Sequence, residues 1–185
     1  MGFDTYGAPQ FGLADVKIAP WTSTGAYGTV VDVPSVQMMA TTLKVQSAQL
    51  EGDDAIQASA SRAIGGEVRF RFGSISIAAL EVMLGQNAVP SGSPESQQHL
   101  RISGGDRMPY FGICGKALAE EGEGDTHVFL PKCKIMGDVT IAQLQYGQFA
   151  IPEMTVQAVH DDTYGAINII EHAADTAVAI PPVGI

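Results

Sequence analysis

The chain has little charge for its size. Of its 185 residues, 16% are charged, whereas an average soluble domain has about 25%. A surface with few charges can be covered by partner molecules at a small desolvation cost, so this composition favours a subunit of an assembly over an isolated monomer. The length predicts one domain with a substantial core, which needs no disulfides to fold.

Basic residues are scarce and scattered. Ten Lys and Arg stand against twenty Asp and Glu, the net charge is -10, and no two basic residues are adjacent. A protein that binds duplex DNA tightly needs clustered cations to displace counterions from the phosphates. The sequence therefore argues against tight nucleic-acid binding, and the acidic balance by itself indicates solubility.

Cysteine and long apolar runs are also rare. Cys114 and Cys133 form neither a CxxC pair nor a Cys/His cluster, so we expect buried free thiols, with a disulfide possible only if the strands bring their Cα atoms close. The chain has no run of 18 apolar residues, and its first residues lack a basic and then apolar export signal. We therefore expect a soluble protein with no membrane segment.

The dominant pattern in the sequence is the alternation of apolar and polar residues with a period of two. Between residues 67 and 72, apolar side chains alternate with arginines, which predicts a strand with one buried and one wet face. Similar segments occur at residues 14–19, 29–33, 99–103, 110–118, 126–141 and 149–159. The sequence predicts a mainly β fold, a β-sandwich or a partly closed barrel.

One segment, at about residues 75–84, has helical periodicity. Ser74 or Ser76 can cap its start, Gly85 can end it, and one face carries Ile77, Leu80 and Leu84. The apolar stripe is wide, so we expect the helix to flank the sheet as part of the core.

A long β-hairpin is predicted at about residues 36–64, with an acidic tip at residues 51–54. Its returning strand alternates Ile56, Ala58 and Ala60 with Gln57, Ser59 and Ser61, as in a sheet that is half buried and half wet. Such a long and thinly apolar ribbon usually pairs with neighbours. Gly65-Gly66 is interpreted as a turn that separates the hairpin from the next strand.

The remaining segments give the domain organisation. Residues 1–12 are predicted to be an N-terminal arm, residues 13–172 the β domain and residues 173–185 a C-terminal extension. Residues 86–98 are expected to form a polar, exposed loop.

Motifs for catalysis, cofactors or metals are not recognisable. Asp125, His127 and Cys133 follow one another closely, but nothing places a Cys-His pair within hydrogen-bond reach. The acidic turn at residues 120–125 lacks the spacing of a calcium loop. The histidines are dispersed without metal-ligand spacing: His99, His127, His160 and His172. We expect no enzyme, no cofactor and no metal site.

Five short segments occur in a recognisable order, at residues 13–20, 50–54, 66–73, 109–111 and 124–128. Together they resemble the major tail tube protein of long-tailed, non-contractile bacteriophages or of phage-like gene transfer agents. The likeness extends from about residue 13 to about residue 160, and it depends on order and spacing because each segment is only a few letters long.

The resemblance implies a structural virion protein whose hexameric rings stack into a tail tube, a conduit for genome ejection. The implied partners are further copies of the chain, the tail tip or baseplate, and the tape measure and tail terminator proteins. Double-stranded DNA would pass through without tight binding. Assembly would take place in the cytoplasm of a bacterial host.

Carried onto this chain, the resemblance assigns residues to three surfaces. The hairpin would line the lumen, where an acidic or polar wall lets DNA slide. The expected lumen residues are Glu51, Asp53, Asp54, Gln57, Ser59, Ser61 and Glu153. The expected ring interface comprises Leu43, Val45, Leu50, Ile56 and Ile64. Contacts between stacked rings are expected at Phe3, Tyr6, Phe11, Pro94, Pro181 and Pro182.

Two other interpretations stay open at this point. The inner tube of a contractile tail or of a bacterial secretion apparatus has the same architecture and differs in having a sheath partner, which the sequence does not reveal. A monomeric β-sandwich binding module, for sugars or a cell surface, usually displays clustered exposed aromatics. A single Trp21 and five scattered Tyr give that interpretation little support.

Overall fold

Antiparallel strands form most of the chain. The computed structural model describes residues 10–52, 55–74, 76–92, 95–119, 124–142, 144–148 and 151–182. In these ranges there is one helix, α1 (Ile77–Leu84). The strands are β1 (Gln10–Ser23), β2 (Ala26–Tyr27), β3 (Val31–Asp32), β4 (Val36–Gly52), β5 (Ala55–Phe72), β6 (Val89–Gly92), β7 (Glu95–His99), β8 (Phe111–Ala119), β9 (Asp125–Ile135), β10 (Glu153–Ala158) and β11 (Asn168–His172).

Nine of these strands build one sheet. Its order is β2-β1-β8-β9-β10-β5-β4, with β3 also pairing β1 and β11 also pairing β9, while β6 and β7 form a separate two-stranded sheet. The prediction of a mainly β fold with one flanking helix is confirmed. The large sheet is not closed into a barrel.

The main core lies on one face of this sheet. Val68, Phe70 and Phe72 are at most 5% exposed, as their alternation predicts, and the two phenylalanine rings stack with centroids 5.8 Å apart. Helix α1 packs on the same cluster through Leu80 and Met83. We call this side of the sheet the core face.

Helix α1 begins and ends where the sequence predicts. The Ser76 hydroxyl accepts a hydrogen bond from the Ala79 amide at 3.3 Å, which satisfies one of the free amides of the first turn. At the other end Gly85 adopts a left-handed conformation with φ 69°, and its amide donates to the Glu81 carbonyl.

A second, smaller cluster lies on the opposite face of the sheet. Ile18 belongs to the core face, and its neighbour Ala19 on β1 points the other way and packs in this second cluster. Val178 and Ile180 close the cluster from the C-terminal segment. This segment therefore covers one end of the sheet's second face.

The two cysteines are buried, free thiols, as the sequence predicts. Cys133 lies in the main core and Cys114 in the smaller cluster. Their strands pair, but Cys114 is opposite Phe129 and Cys133 is opposite Phe111. The register therefore gives the two thiols different cross-strand neighbours.

The expected turn at Gly65-Gly66 is wrong, because β5 continues through it. Lys44 pairs with Gly65 but Val45 pairs with Ala63, so one residue of β5 bulges out of the pairing at this point. Gly65 has φ 146°, a conformation that few residues other than glycine adopt. The hairpin is thus formed by β4 and β5 over their whole lengths.

Three other predictions of local structure differ from what is observed. The expected loop at residues 86–98 contains the hairpin β6–β7, whose side chains are exposed and mostly polar and give no hydrophobic periodicity. The expected strand around residues 138–141 is reduced to a single bridge between Thr140 and Glu153. The strand expected at residues 99–103 is wrong, because β7 ends at His99 and residues 100–103 are not in a strand. Strand β11 was not predicted from the sequence, because both of its apolar residues, Ile169 and Ile170, are adjacent and do not alternate.

Candidate interaction surface

The outer half of the hairpin extends past the sheet. Strand β5 pairs with β10 only between Gly66 and Arg71, and beyond that point β4 and β5 pair only with each other. We call residues 43–52 and 55–64 the distal hairpin. Every side chain described in it is exposed, so the described part of the chain covers neither of its faces.

The edges of the distal hairpin also lack partners within the described residues. Strand β4 is the last strand of the sheet, and its 17 residues form an edge well above the usual strand length of about 5–6 residues. A long free edge exposes rows of unpaired amides and carbonyls, which promote pairing with another chain. The distal hairpin is therefore suited to association by strand addition.

The cross-strand register gives the distal hairpin two chemically different faces. On one face Ser47 is opposite Ser61, and Gln49 is opposite Ser59; we call this the serine face. On the other face Ala48 is opposite Ala60, and Leu50 is opposite Ala58; we call this the alanine face. The small side chains of Ala48, Ala58 and Ala60 make the middle of the alanine face flat, whereas hydroxyls and amides keep the serine face polar.

The five residues that were predicted to form a ring interface are all exposed, with side chains between 53% and 61% accessible: Leu43, Val45, Leu50, Ile56 and Ile64. Leu43 and Val45 continue along β4 the side that Met39 presents to the main core. They therefore extend the core face into the part of the hairpin where β5 no longer pairs with β10. Leu50 instead lies on the alanine face, so the predicted set is divided between two faces.

A broad polar surface adjoins the alanine face. We call it the open face, and it is the side of β4, β5 and β10 that faces away from α1. Its members are Ala40, Thr42 and Lys44 on β4, Glu67, Arg69 and Arg71 on β5, and Glu153, Thr155 and Gln157 on β10. Six of these nine side chains are charged or carry an amide, and none is a large apolar group.

The charges of the open face are paired with one another. Glu67 accepts from Lys44 at 2.7 Å and from Arg69 at 3.4 Å, and Arg71 pairs with Glu153 at 3.3 Å. The hydrogen bond from Lys44 lowers the pKa of Glu67 below its usual value. Exposed ion pairs add little stability, but here each arginine and lysine has a carboxylate beside it.

The residues predicted to line a lumen do not share one face. Ser59 and Ser61 lie on the serine face, whereas Glu153 lies on the open face beside Arg71. The pairing slips by one residue near the tip, which places Ile56 opposite Glu51. Asp53 and Asp54 lie outside the described residues. The lumen assignment itself stays a prediction.

The residues predicted to contact stacked rings are placed as follows. Phe11 is 78% exposed on β1. Pro181 is half-buried and Pro182 is buried, at the end of the segment that covers the small cluster. Phe3, Tyr6 and Pro94 lie outside the described residues. The role of the described three in stacking stays a prediction.

One group of polar residues was missed by the sequence reasoning. Asp125 and His127 on β9 meet His172 on β11, and all three offer ligand atoms within 4.8 Å of one another. Burial lowers the pKa of His127, although the Asp125 carboxylate acts in the opposite direction. No linear motif marks this group, because strand pairing brings together residues that are 45 positions apart in the chain.

Comparison of the chain with known families and with curated proteins gives no match. Within the described ranges, no helix combines the length and the apolar character that crossing a bilayer requires.

Proposed function

We propose that this protein is a structural subunit of a phage-type tail tube, in which copies of the chain close into hexameric rings and the rings stack into a conduit for DNA. The observation that carries the proposal is the distal hairpin, which extends past the sheet with exposed faces and with edges free of partners among the described residues. The order of short segments along the chain, which resembles that of tail tube proteins, supports the same proposal.

Association through the hairpin would remove the features that make it unusual in a monomer. A neighbouring copy that pairs with the β4 edge would satisfy the free backbone groups, and the apolar side chains of Leu43 and Val45 would be covered together with it. Permanent interfaces of this kind commonly bury about 2,000–5,000 Å². A ring repeats the same contact at every subunit, so it leaves no free edge.

In this arrangement the open face is the surface that we assign to the channel wall. The core face is occupied by α1, and the other end of the second face is covered by the C-terminal segment. The open face is what remains, and it presents no large apolar group. Because Lys44, Arg69 and Arg71 each have a glutamate as a partner, they are less available to phosphates, and DNA is not gripped.

The same subunit geometry suits the inner tube of a contractile tail. The two proposals differ in whether a sheath surrounds the tube. We favour the non-contractile tail because the segment order of the chain resembles that family.

The proposal is tested by shortening the hairpin. Residues 47–61 are replaced by an Asn-Gly turn, a sequence that favours tight hairpins and that here joins the paired residues Gln46 and Arg62 without a change of register. None of the described side chains in this segment is buried, so the shortened protein should unfold at nearly the same denaturant concentration as the wild type. We expect it to stay monomeric in sedimentation experiments under conditions in which the wild type forms rings or tubes.

Tubes of normal length from the shortened protein would contradict the proposal. A shortened protein that does not fold would show instead that the distal hairpin stabilises the monomer, which the proposal excludes. The unfolding measurement therefore accompanies the assembly assay.

A further inference from the structure

Three buried polar atoms without partners lie together where β9 meets β11. Among the described residues, Asp125 Oδ1, His127 Nε2 and His172 Nε2 are buried and make no hydrogen bond of good geometry, and the nearest approach is that of His127 Nε2 to Asp125 Oδ2 at 3.3 Å. Asp125 and His127 are each only 1% exposed. An unsatisfied buried polar group costs about 1–3 kcal/mol, and three at one place indicate a common ligand.

The sheet register explains how these side chains meet. Asp125 and His127 are two residues apart on β9 and therefore point to the same face. His172 on β11 is the cross-strand partner of Asp125. Gly124 precedes the group with φ 94°, and a side chain there would collide with the His172 carbonyl. The close approach of the two strands thus depends on glycine at this position.

The distances are short enough for one ion. His127 Nε2 lies 3.3 Å from Asp125 Oδ2, and the rings of His127 and His172 have centroids 4.5 Å apart at an angle of 61°. All three side chains offer ligand atoms within 4.8 Å of one another. A tetrahedral ion with bonds of about 2.0–2.2 Å holds its ligand atoms about 3.3–3.6 Å apart, so the side chains would close around it by up to about 1.5 Å.

Neighbouring groups fix the orientation of the carboxylate. Asp125 Oδ2 accepts from the Thr176 amide at 2.6 Å and lies 3.1 Å from Lys116 Nζ. Lys116 also contacts Asp175 and donates to the Thr176 carbonyl at 2.7 Å. These bonds use Oδ2 and leave Oδ1 free, and the charge of Lys116 is balanced by Asp175. Outer partners of this kind orient the ligands of metal sites.

We propose that Asp125, His127 and His172 bind one divalent transition metal ion, and that Zn²⁺ is the ion their donor set fits. Two imidazoles and one carboxylate are ligands of Zn²⁺, whereas Mg²⁺ and Ca²⁺ prefer oxygen ligands throughout. The ion satisfies the three orphan atoms at once. It also joins β9 to β11, next to the point where the C-terminal segment crosses the sheet, so the site acts as a structural staple.

The proposal is tested by measuring Zn²⁺ binding to tag-free protein, with a chromophoric chelator as the competitor in the titration. We expect about one Zn²⁺ per chain, no competition from Mg²⁺, and binding at least about tenfold weaker in His127→Gln and in His172→Gln. Saturating Zn²⁺ should also raise the melting temperature of the wild type, by about 5–10 °C at about 100 times its dissociation constant.

His160→Gln is the matched control. His160 also lies near a carboxylate, Asp162, but both side chains are exposed, so its loss should leave Zn²⁺ binding unchanged. Wild-type protein that binds no Zn²⁺, or variants at 127 and 172 that bind as tightly as the control, would overturn the proposal. If His127→Gln does not fold, His172→Gln decides, since His172 is only partly buried. The measurement does not require rings or tubes, so its outcome is separate from that of the proposed function.

Discussion

At the scale of single residues, Gly65 determines where the hairpin leaves the sheet. It has φ 146°, and a Cβ at this position would lie 2.8 Å from the Ala158 carbonyl oxygen. Real Cβ atoms do not approach an oxygen so closely, so β5 or β10 would have to move. A bulge bends a strand, and this one lies beside the end of the β5–β10 pairing. The last residue of β5 that pairs with β10 is Gly66, the neighbour of Gly65.

We therefore predict that Gly65→Ala destabilises the protein. The combined strain of the backbone and the close contact should lower the free energy of unfolding by about 1–3 kcal/mol, measured by urea denaturation of unassembled protein. Gly104→Ala is the control, because no atom lies within 4 Å of a Cβ there, and it should change stability by less than about 0.5 kcal/mol. Equal effects of the two substitutions would contradict this account of the bulge.

The two thiols give a second prediction at this scale. Burial raises the pKa of Cys114 to about 12, and the charges of Asp15 and Asp125 act in the same direction. Burial also raises the pKa of Cys133. The reactive thiolate is therefore suppressed. We expect no reaction of native protein with a thiol reagent at pH 8 and reaction of both cysteines in denaturant, whereas prompt labelling of the native protein would show that a strand opens.

At the scale of elements, the sequence predicts those segments whose pattern and packing agree. Val68, Phe70 and Phe72 alternate and are buried, and Ser76 and Gly85 mark the ends of α1 as expected. Where pairing alone determines the structure, the sequence carries no signal. The hairpin β6–β7 has exposed and mostly polar side chains, and β11 lacks alternation, so neither was predicted.

The candidate surfaces follow the same rule. The exposed apolar residues of the distal hairpin were predicted, because the alternating pattern of a long hairpin can be recognised in the sequence. Their division between two faces was not, because it depends on the slips in register near Gly65 and Glu51. The group of Asp125, His127 and His172 was missed for a similar reason, since only the pairing of β11 with β9 brings it together.

The hairpin gives a prediction at the scale of elements. Ile56→Asp puts a charge on a side chain that is 60% exposed in the monomer and that the proposal places in a contact between subunits. Burying an unpaired carboxylate is costly, so the variant should fold as well as the wild type and fail to assemble in sedimentation experiments.

Its control is Ile169→Asp on β11. Ile169 is 69% exposed and lies on a strand far from the hairpin in the sheet order. This variant should fold and also assemble. If both variants assemble, Ile56 does not lie in the contact between subunits.

At the scale of the whole molecule, the distribution of charge matters more than its sum. The net charge of -10 repels DNA from a distance, but the open face itself carries three cations and two carboxylates among its named members. In the proposed tube, ion pairing, and not an acidic wall, would therefore keep this surface from holding a polyanion. This differs from the acidic lumen that the sequence suggested.

Removing the carboxylates of the open face should make assembled tubes retain DNA. In Glu67→Gln with Glu153→Gln, the cations Lys44, Arg69 and Arg71 lose their partners and become available to phosphates. Co-sedimentation of tubes with duplex DNA should rise, and it should fall again as salt is added.

The control for this pair has the same net charge. Asp162→Asn with Glu171→Gln removes two exposed acids away from the open face. If it retains DNA as strongly as the first pair, the effect comes from net charge and the open face has no special role.

The central claim is that the distal hairpin is completed by copies of the same chain. Cryo-electron microscopy of the purified protein at high concentration tests it most directly. We predict stacked six-membered rings in which the strands at residues 43–64 pair with neighbouring subunits and the open face surrounds a channel. Particles that stay monomeric, or rings whose hairpins touch no neighbour, would contradict the claim.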